Sequence, residues 1–526
     1  MTDSEGAEQE TDVAPNDTRS SNPWSRVDVI AIILVMAVAA IVRLTGLAHP
    51  DELIFDETYY AKDACWYVNA SESVCKRAAD APEVHPPLGK WLIAVGIRVF
   101  GFDCPDPEHA CRGTTTSFAW RIIPALAGIA TVGLLYLLAR RLFRSTLAAT
   151  MSSGLLAFDF LHLVQSRTSM LDIFVPLFGV AALYLLVLDR DRMADGEPPA
   201  SIWNRPHRLA AGVCFGAAVA TKWSGAFLML AGLVLTVTWA IAALRAHPLR
   251  ARILLAMKRE GPTVAAFLIV VPVLVYSLTY VGRVQNPRFS GAPWSEGHVV
   301  RTLWNHHDYM LDFHRDLQST HSYSSPGSTW LVLKRPVSYY FCTGDTCSPP
   351  NDGEYEEIMA TGSPFVWWPS LLALVYIAYL WVRKRNFLEP EGVILTGFLF
   401  SYLPWLLTDR PAIFLFYLLP TVPFMCLAIG YVVTKIGRSW EATAAIALFS
   451  LATFALFLFY YPVLVGRPIP QAKWDKRIWV FDNCDKPTGA TITATSTETV
   501  GRKVTTRETT SLEDTSGLPP TGWCWI

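Results

Sequence analysis

The chain has 526 residues, 52% hydrophobic and only 17% charged, with 44 Lys and Arg against 45 Asp and Glu. Its basic residues punctuate apolar runs and form no continuous patch, which excludes a nucleic-acid binder; the apolar content excludes a set of ordinary soluble domains. Runs near the ~20 residues that cross a bilayer core recur throughout, without the alternation of a barrel, so the fold class is an all-α polytopic membrane protein with about eleven transmembrane helices.

Residues 1–27 are polar and acidic and read as a disordered cytoplasmic tail. The first apolar run, 29–47, has no small-residue cleavage site after it and is read as a retained helix, not a signal peptide. A long polar segment, 48–117, carries Phe55-Asp56-Glu57, His85-Pro86-Pro87-Leu88-Gly89-Lys90 and four cysteines. Further spans are expected at 118–138, 147–164, 170–188, 209–220, 227–244 and 264–281. A second polar segment, 282–363, precedes spans at 366–381, 392–407, 413–433 and 444–461, and a Thr-rich tail occupies 464–526. Residues 28–463 are expected to form one transmembrane domain.

The short loops dense in Arg and Lys, such as those with Arg140, Arg190, Arg250 and Lys384, alternate with the other set and belong in the cytoplasm. The N-terminus is then inside, and the two long loops and the C-terminal tail lie outside. Eight of the ten cysteines fall in outer segments and the remaining two, Cys214 and Cys426, lie within spans. That partition suits disulfides in an oxidising compartment, with Cys65–Cys75, Cys104–Cys111, Cys342–Cys347 and Cys484–Cys524 as the pairs; zinc is the alternative, against which no CxxC pairing with His occurs at ligand spacing.

Asp56 and Glu57 sit at an outer membrane boundary, flanked by Phe55, Tyr59 and Tyr60. Taken alone they are two acids in a loop. Arg43, Arg121, Arg167, Lys222 and Arg410 recur at other outer helix ends, and Asp159 and Asp172 lie in apolar runs, where ionisable side chains are costly and functional. Cations for an anionic ligand and a carboxylate for proton abstraction are therefore expected to meet in one outer cavity. Leu88–Phe100 is too short to span and reads as an interfacial helix, with Pro87 as its first residue and Lys90 and its N-terminal amides facing an anion; a plain amphipathic anchor is the alternative. His307 and His314 are spaced to share a helix face, but without a third ligand that segment reads as solvated or substrate-lining, and no metal site is assigned. Asn69-Ala70-Ser71 matches a glycosylation pattern weakly.

Taken together, several motifs resemble the protein O-mannosyltransferases, membrane enzymes that use lipid-linked sugars. They are Phe55-Asp56-Glu57, His85-Pro86-Pro87-Leu88-Gly89-Lys90, Trp120-Arg121-Ile122-Ile123-Pro124-Ala125, Ser166-Arg167 with Leu171-Asp172, Thr221-Lys222-Trp223, Tyr323-Ser324-Ser325 with Arg335-Pro336-Val337, and Phe416-Tyr417-Leu418-Leu419-Pro420. The second loop is too short for the β-trefoil of eukaryotic members, so the chain looks like an actinobacterial-type member. The resemblance implies an inverting transfer of mannose from polyprenyl phosphate mannose to Ser or Thr of secreted, unfolded or translocating proteins. Membrane lipid and the Sec translocon would be surroundings and partner, at the extracytoplasmic face of the cell membrane. Asp56 would be the general base with Glu57 beside it. Arg121, Arg410, Lys90, His85, Lys222, Arg167, Asp172 and Tyr417 would hold the donor's phosphate and sugar. No cofactor is required, and a divalent cation is permitted. The rivals are another lipid-phosphate glycosyltransferase, such as one adding aminoarabinose to lipid A, and an anionic-lipid transporter, against which no inverted repeat is detected.

Overall fold

The computed structural model describes residues 24–69, 71–77, 83–101, 116–195, 203–281, 299–316, 321, 323–347, 349–384, 389–437, 439–478, 491–500 and 503–512. Residues 1–23 of the predicted N-terminal tail and the pairs Cys104–Cys111 and Cys484–Cys524 lie outside these residues, and the tail's last two residues open helix α1. Helix α1 (Arg26–Leu44) starts at a capping box, in which Ser25 and Asp28 satisfy each other's backbone amides. Asp28 is also buried against the end of α5 (Thr116–Phe143), where Arg140 Nε reaches it at 2.6 Å. Between them the first loop holds α2 (Glu57–Asn69), α3 (Glu72–Cys75) and α4 (Leu88–Phe100). The disulfide Cys65–Cys75 joins α2 to α3.

Helix α4 has the expected bounds, although Pro87 caps it and Leu88 is its first residue. The glycine of the proline motif has a packing reason. A Cβ on Gly89 would stand 2.7 Å from Leu171 and 2.8 Å from Thr221, and one on Gly96 would stand 2.2 Å from the Ala119 carbonyl. The close seat of α4 on the bundle depends on both.

The third predicted span is a broken one. Helix α6 (Thr146–Ala157) and α7 (Phe160–Arg167) meet at 57°. Asp159 caps α7 through the His162 amide at 2.9 Å and accepts from Ser363 N and Trp367 Nε1. Arg43 donates to the carbonyls that the break frees, Ala157 at 3.2 Å and Leu156 at 3.5 Å. These two intramembrane charges, expected to be functional, satisfy interrupted backbone instead.

Helices α8 (Phe174–Asp195), α9 (Pro206–Thr221) and α10 (Gly225–Ala242) follow. The basic stretch before the seventh span is not a loop. Helix α11 (Leu249–Ala265) runs through it and continues by a π turn, Ala266–Val270, into α12 (Val271–Leu278). Its Leu, Arg, Ala, Met and Lys are good helix formers, and the charge had masked them. The second loop contains α13 (Val299–Asp316) and an antiparallel hairpin, β1 (Val337–Thr343) with β2 (Tyr355–Ala360), next to the disulfide Cys342–Cys347. Then come α14 (Pro364–Lys384), α15 (Pro390–Tyr402), a 3₁₀ segment Leu415–Thr421 leading into α16 (Val422–Val433), α17 (Trp440–Val465) and α18 (Gln471–Ile478). A ribbon of β3 (Thr491–Val500) and β4 (Lys503–Leu512) lies in the Thr-rich tail. The two hairpins correct the all-α expectation; the chain is a mostly helical, multi-pass membrane protein.

Each of the eleven predicted segments falls on helix. Among the described residues seven helices are long and apolar enough to cross a membrane, or eight when the bent pair α6–α7 is taken as one span.

Candidate active site

The loop that leaves α1 is pinned before it reaches Asp56. Arg167, at the end of α7, donates to the carbonyls of Arg43 and Thr45, both at 2.8 Å, and of Gly46 at 2.8 Å, closing the C-terminal end of α1. Arg121 of α5 donates to Pro50 O at 2.7 Å and Glu52 O at 2.9 Å, and it grips Glu57 with two nitrogens, at 2.9 and 2.8 Å. Glu57 further accepts from Ile54 N at 3.2 Å and Ser169 N at 2.8 Å. Both partners of the pair are buried, at 0% and 1% side-chain exposure, so neither is available to a ligand.

This arrangement shows where three of the expected charges are engaged. Glu57 is the hub of the loop, bonded to Arg121 and to the Ile54 and Ser169 amides. Arg121 and Arg167 have their donors committed to Glu57 and to helix-end carbonyls, not to a phosphate. Lys90 is committed as well: its ammonium lies 2.8 Å from Asp63 and 3.0 Å from Glu83, buried within the first loop. Asp63 belongs to α2 and Lys90 to α4, so these charges tie the two helices together.

What Glu57 positions is the residue before it. Phe55 adopts φ +46, a left-handed conformation that a bulky side chain rarely takes, and it stacks on Tyr339 of β1 at 4.2 Å. Asp56 comes just before the first residue of α2 and its carboxyl meets different partners from that of Glu57. Asp56 receives a hydrogen bond from the Tyr60 hydroxyl one helical turn on. Burial pushes its carboxyl up to about 6, with Lys222 opposing the rise and Asp172 adding to it. Burial together with the Asp56 charge pushes the Tyr60 phenol well above its ordinary value, so it stays a donor.

Lys222 follows the last residue of α9, and Asp172 precedes α8; they pair at 2.8 and 2.9 Å. The Lys222 ammonium also lies over the Tyr417 ring at 4.7 Å. Arg410 reaches the same neighbourhood from the loop before the 3₁₀ segment, and its buried Nε has no hydrogen-bond partner. Its charge bears on His85, His314 and Tyr417. Ser324 fixes that loop by donating to Pro411 O at 2.5 Å, which accounts for the Tyr323-Ser324-Ser325 motif.

His85 packs its ring 5.8 Å from Tyr60 and 5.2 Å from His314. Burial and the surrounding cations hold it well below the usual histidine range, so it is a neutral ring at working pH. His314 Nε2 is bonded to Val84 O at 2.8 Å, while His307 faces Tyr276 at 2.7 Å, so the two histidines serve different contacts. The sequence reading placed Asp56, His85, Asp172, Lys222, Arg410 and Tyr417 together, and they converge. It missed Tyr339, oriented by Gln165 Nε2 at 2.7 Å, because a hairpin in a polar loop gives no periodic signal of its position.

The Asp56–Glu57 pair does not offer two carboxylates to a metal ion, since both Glu57 oxygens are taken. Among the described residues, the grouping with ligand atoms near enough for a cation is Cys342, Cys347 and Glu356, and those cysteines are joined in a disulfide.

A buried carboxylate with an elevated pKa beside a cluster of cations, at one end of a multi-pass helix bundle, is the arrangement of a membrane-embedded glycosyltransferase. Residues 33–283 match the family model described as dolichyl-phosphate-mannose-protein mannosyltransferase, and residues 299–483 match the C-terminal four-transmembrane region of protein O-mannosyltransferase. The chain belongs to the protein O-mannosyltransferase family. It is similar to the polyprenol-phosphate-mannose–protein mannosyltransferase of Mycobacterium tuberculosis, 29% identical over 490 residues, covering 85% of this chain and 90% of that one. The enzyme of the same name from Corynebacterium glutamicum is 26% identical over 504 residues, covering 87% and 94%. In fold it resembles the Saccharomyces cerevisiae Pmt1–Pmt2 complex bound to the sugar donor, with a TM-score of 0.70 at 16% identity over 87% of this chain and 93% of that one. The apo Archaeoglobus fulgidus oligosaccharyltransferase shares the fold at a TM-score of 0.51 and 14% identity, over 87% of this chain and 58% of that one.

Proposed function

We propose that this enzyme transfers mannose from polyprenyl phosphate mannose to the hydroxyl of a Ser or Thr in a protein being secreted, with Asp56 as the general base. A serine hydroxyl is a weak nucleophile at neutral pH, so its proton must leave as the new C–O bond forms. Asp56, with its carboxyl raised to about 6, is ionised at neutral pH yet basic enough to take that proton, and Tyr60 fixes its orientation. The leaving phosphate needs fixed positive charge more than a proton. Arg410, with its Nε unpartnered, supplies it, with Lys222 beside Asp56 in its pair with Asp172, while Arg121, Arg167 and Lys90 are engaged away from Asp56. With one free carboxylate on one side of the sugar, the reaction is a single displacement that inverts the anomeric centre; a covalent intermediate would need a second one opposite.

The observation that carries this reading is the separation of the two adjacent acids: Glu57 is locked to Arg121, and Asp56 is turned toward Lys222 and Asp172. Eleven passes, an inside N-terminus and an outside C-terminus would put Asp56 on the extracytoplasmic side of the cell membrane, where translocating proteins, delivered by the Sec translocon, emerge. No divalent cation is needed in this scheme. The test is Asp56→Asn in a peptide-transfer assay with polyprenyl phosphate mannose. Turnover should fall by roughly 10²- to 10⁴-fold with the folded fraction unchanged. Near-normal transfer would remove Asp56 from the chemistry, and transfer to a lipid A acceptor instead would favour the aminoarabinose-type rival.

A further inference from the structure

A cleft of about 690 Å³ opens at the other end of the bundle. Arg121, near the start of α5, holds the catalytic loop, while Arg141, in its last turn, lines this cleft. The helix between them is ~30 Å long at about 1.5 Å per residue. Helices α8 and α9 make the same connection, since Asp172 and Lys222 lie at their outer ends and Asp189 and Arg205 at the cleft.

Seven Arg and Lys side chains line the cleft against four Asp and Glu. The acids organise four of the arginines, with Asp191 taking Arg141 at 2.6 Å and Arg190 at 2.7 Å. Asp189 takes Arg205 at 2.6 Å and Arg208 at 3.1 Å, and Glu260 takes the same pair at 3.1 and 2.7 Å. Arg190 also lies 5.0 Å over the Trp239 ring, and Lys435 lies 4.8 Å over Tyr431. A network that served only to seal helix ends would balance its charges and close-pack its side chains. This one leaves an excess of cations around a void of ligand size, with Leu186, Trp239 and Ala240 giving it an apolar side.

We propose that the cleft binds a phosphate-bearing anion at the membrane face opposite the catalytic carboxylate. Guanidinium forks held in place by carboxylates match phosphate oxygens two at a time, and a basic pocket between spans is placed to take a headgroup from the adjacent leaflet. The same chemistry would accept a soluble phosphate ester.

The test uses the full-length enzyme, delipidated in detergent and titrated by native mass spectrometry with phosphatidylglycerol, phosphatidylcholine and, separately, glycerol phosphate. Phosphatidylglycerol should be retained roughly tenfold better than phosphatidylcholine, and the variant Arg190→Gln/Lys435→Gln should lose that preference while its thermal midpoint and mannosyl transfer stay unchanged. Glycerol phosphate binding as tightly as the lipid would assign the site to soluble esters; lipid binding alone would assign it to the leaflet. Equal retention of the two lipids would overturn the proposal. So would a preference that survives in the double variant and disappears in Arg410→Gln, because the anion would then be in the catalytic cavity.

Discussion

Glu57→Gln separates the two adjacent acids experimentally. The substitution keeps the shape of the side chain and removes its charge, leaving the Arg121 guanidinium buried with the carbonyls of Pro50 and Glu52. Glu57 and Arg121 are 0% and 1% exposed, so solvent screens little of the loss. Breaking one side of a buried pair costs about 3–5 kcal/mol, and here two charge-assisted hydrogen bonds weaken together. Removing both charges, as Glu57→Gln/Arg121→Gln, should cost less than the sum of the single changes, because no uncompensated charge remains. The assay is thermal unfolding of the detergent-solubilised enzyme, with transfer measured per folded molecule well below the midpoint. Glu57→Gln should lower the midpoint by several degrees and keep most of the per-molecule rate, the reverse of Asp56→Asn. An unchanged midpoint with turnover cut roughly a hundredfold or more would place Glu57 in the chemistry and refute the reasoning.

Further outcomes follow from the same geometry. Transfer should need ionised Asp56, so the rate should climb as pH rises through about 6 and level off above it. Lys222→Met removes the charge that holds that value down and frees Asp172, which pushes it up, so the acid limb should move to higher pH as well as the rate falling. Arg410→Gln should lower kcat/KM for the polyprenyl donor by roughly 10- to 100-fold, read from steady-state kinetics against donor concentration at fixed peptide; no change would remove Arg410 from the phosphate site. A chelator such as EDTA should leave turnover unchanged in metal-free buffer, and a loss restored by one divalent ion would show that Asp56 shares a metal.

Much of the architecture was legible because membrane spans are long and their periodic content is high. The eleven segments fell on helix, and α4 kept its predicted bounds from a proline pair and an apolar stripe. The basic stretch at 249–265 was misread because Arg and Lys mark loop ends in hydropathy and yet favour helix in propensity. Site residues were legible as types, and six of the expected ones converge. Their division of labour was not. Asp56 and Glu57 differ by one position, and only their partners, Arg121 for Glu57 and Tyr60 with Lys222 and Asp172 for Asp56, tell them apart. Arg121, Arg167 and Lys90 look like free cations in sequence because their acceptors are backbone carbonyls or acids from distant segments.

The clamps on the catalytic loop come from later parts of the chain than the loop itself. Asp56 is synthesised with the first span, but the groups that fix its surroundings follow in turn: Arg121, then Arg167 and Ser169, then Tyr339 under Phe55. On the proposed roles of Asp56 and Arg410, a chain that has inserted only its first helices would carry the base on an unfastened loop and lack the phosphate-binding cation. Competence would then be acquired late in biogenesis, with a partial chain inert toward the substrates that pass beside it.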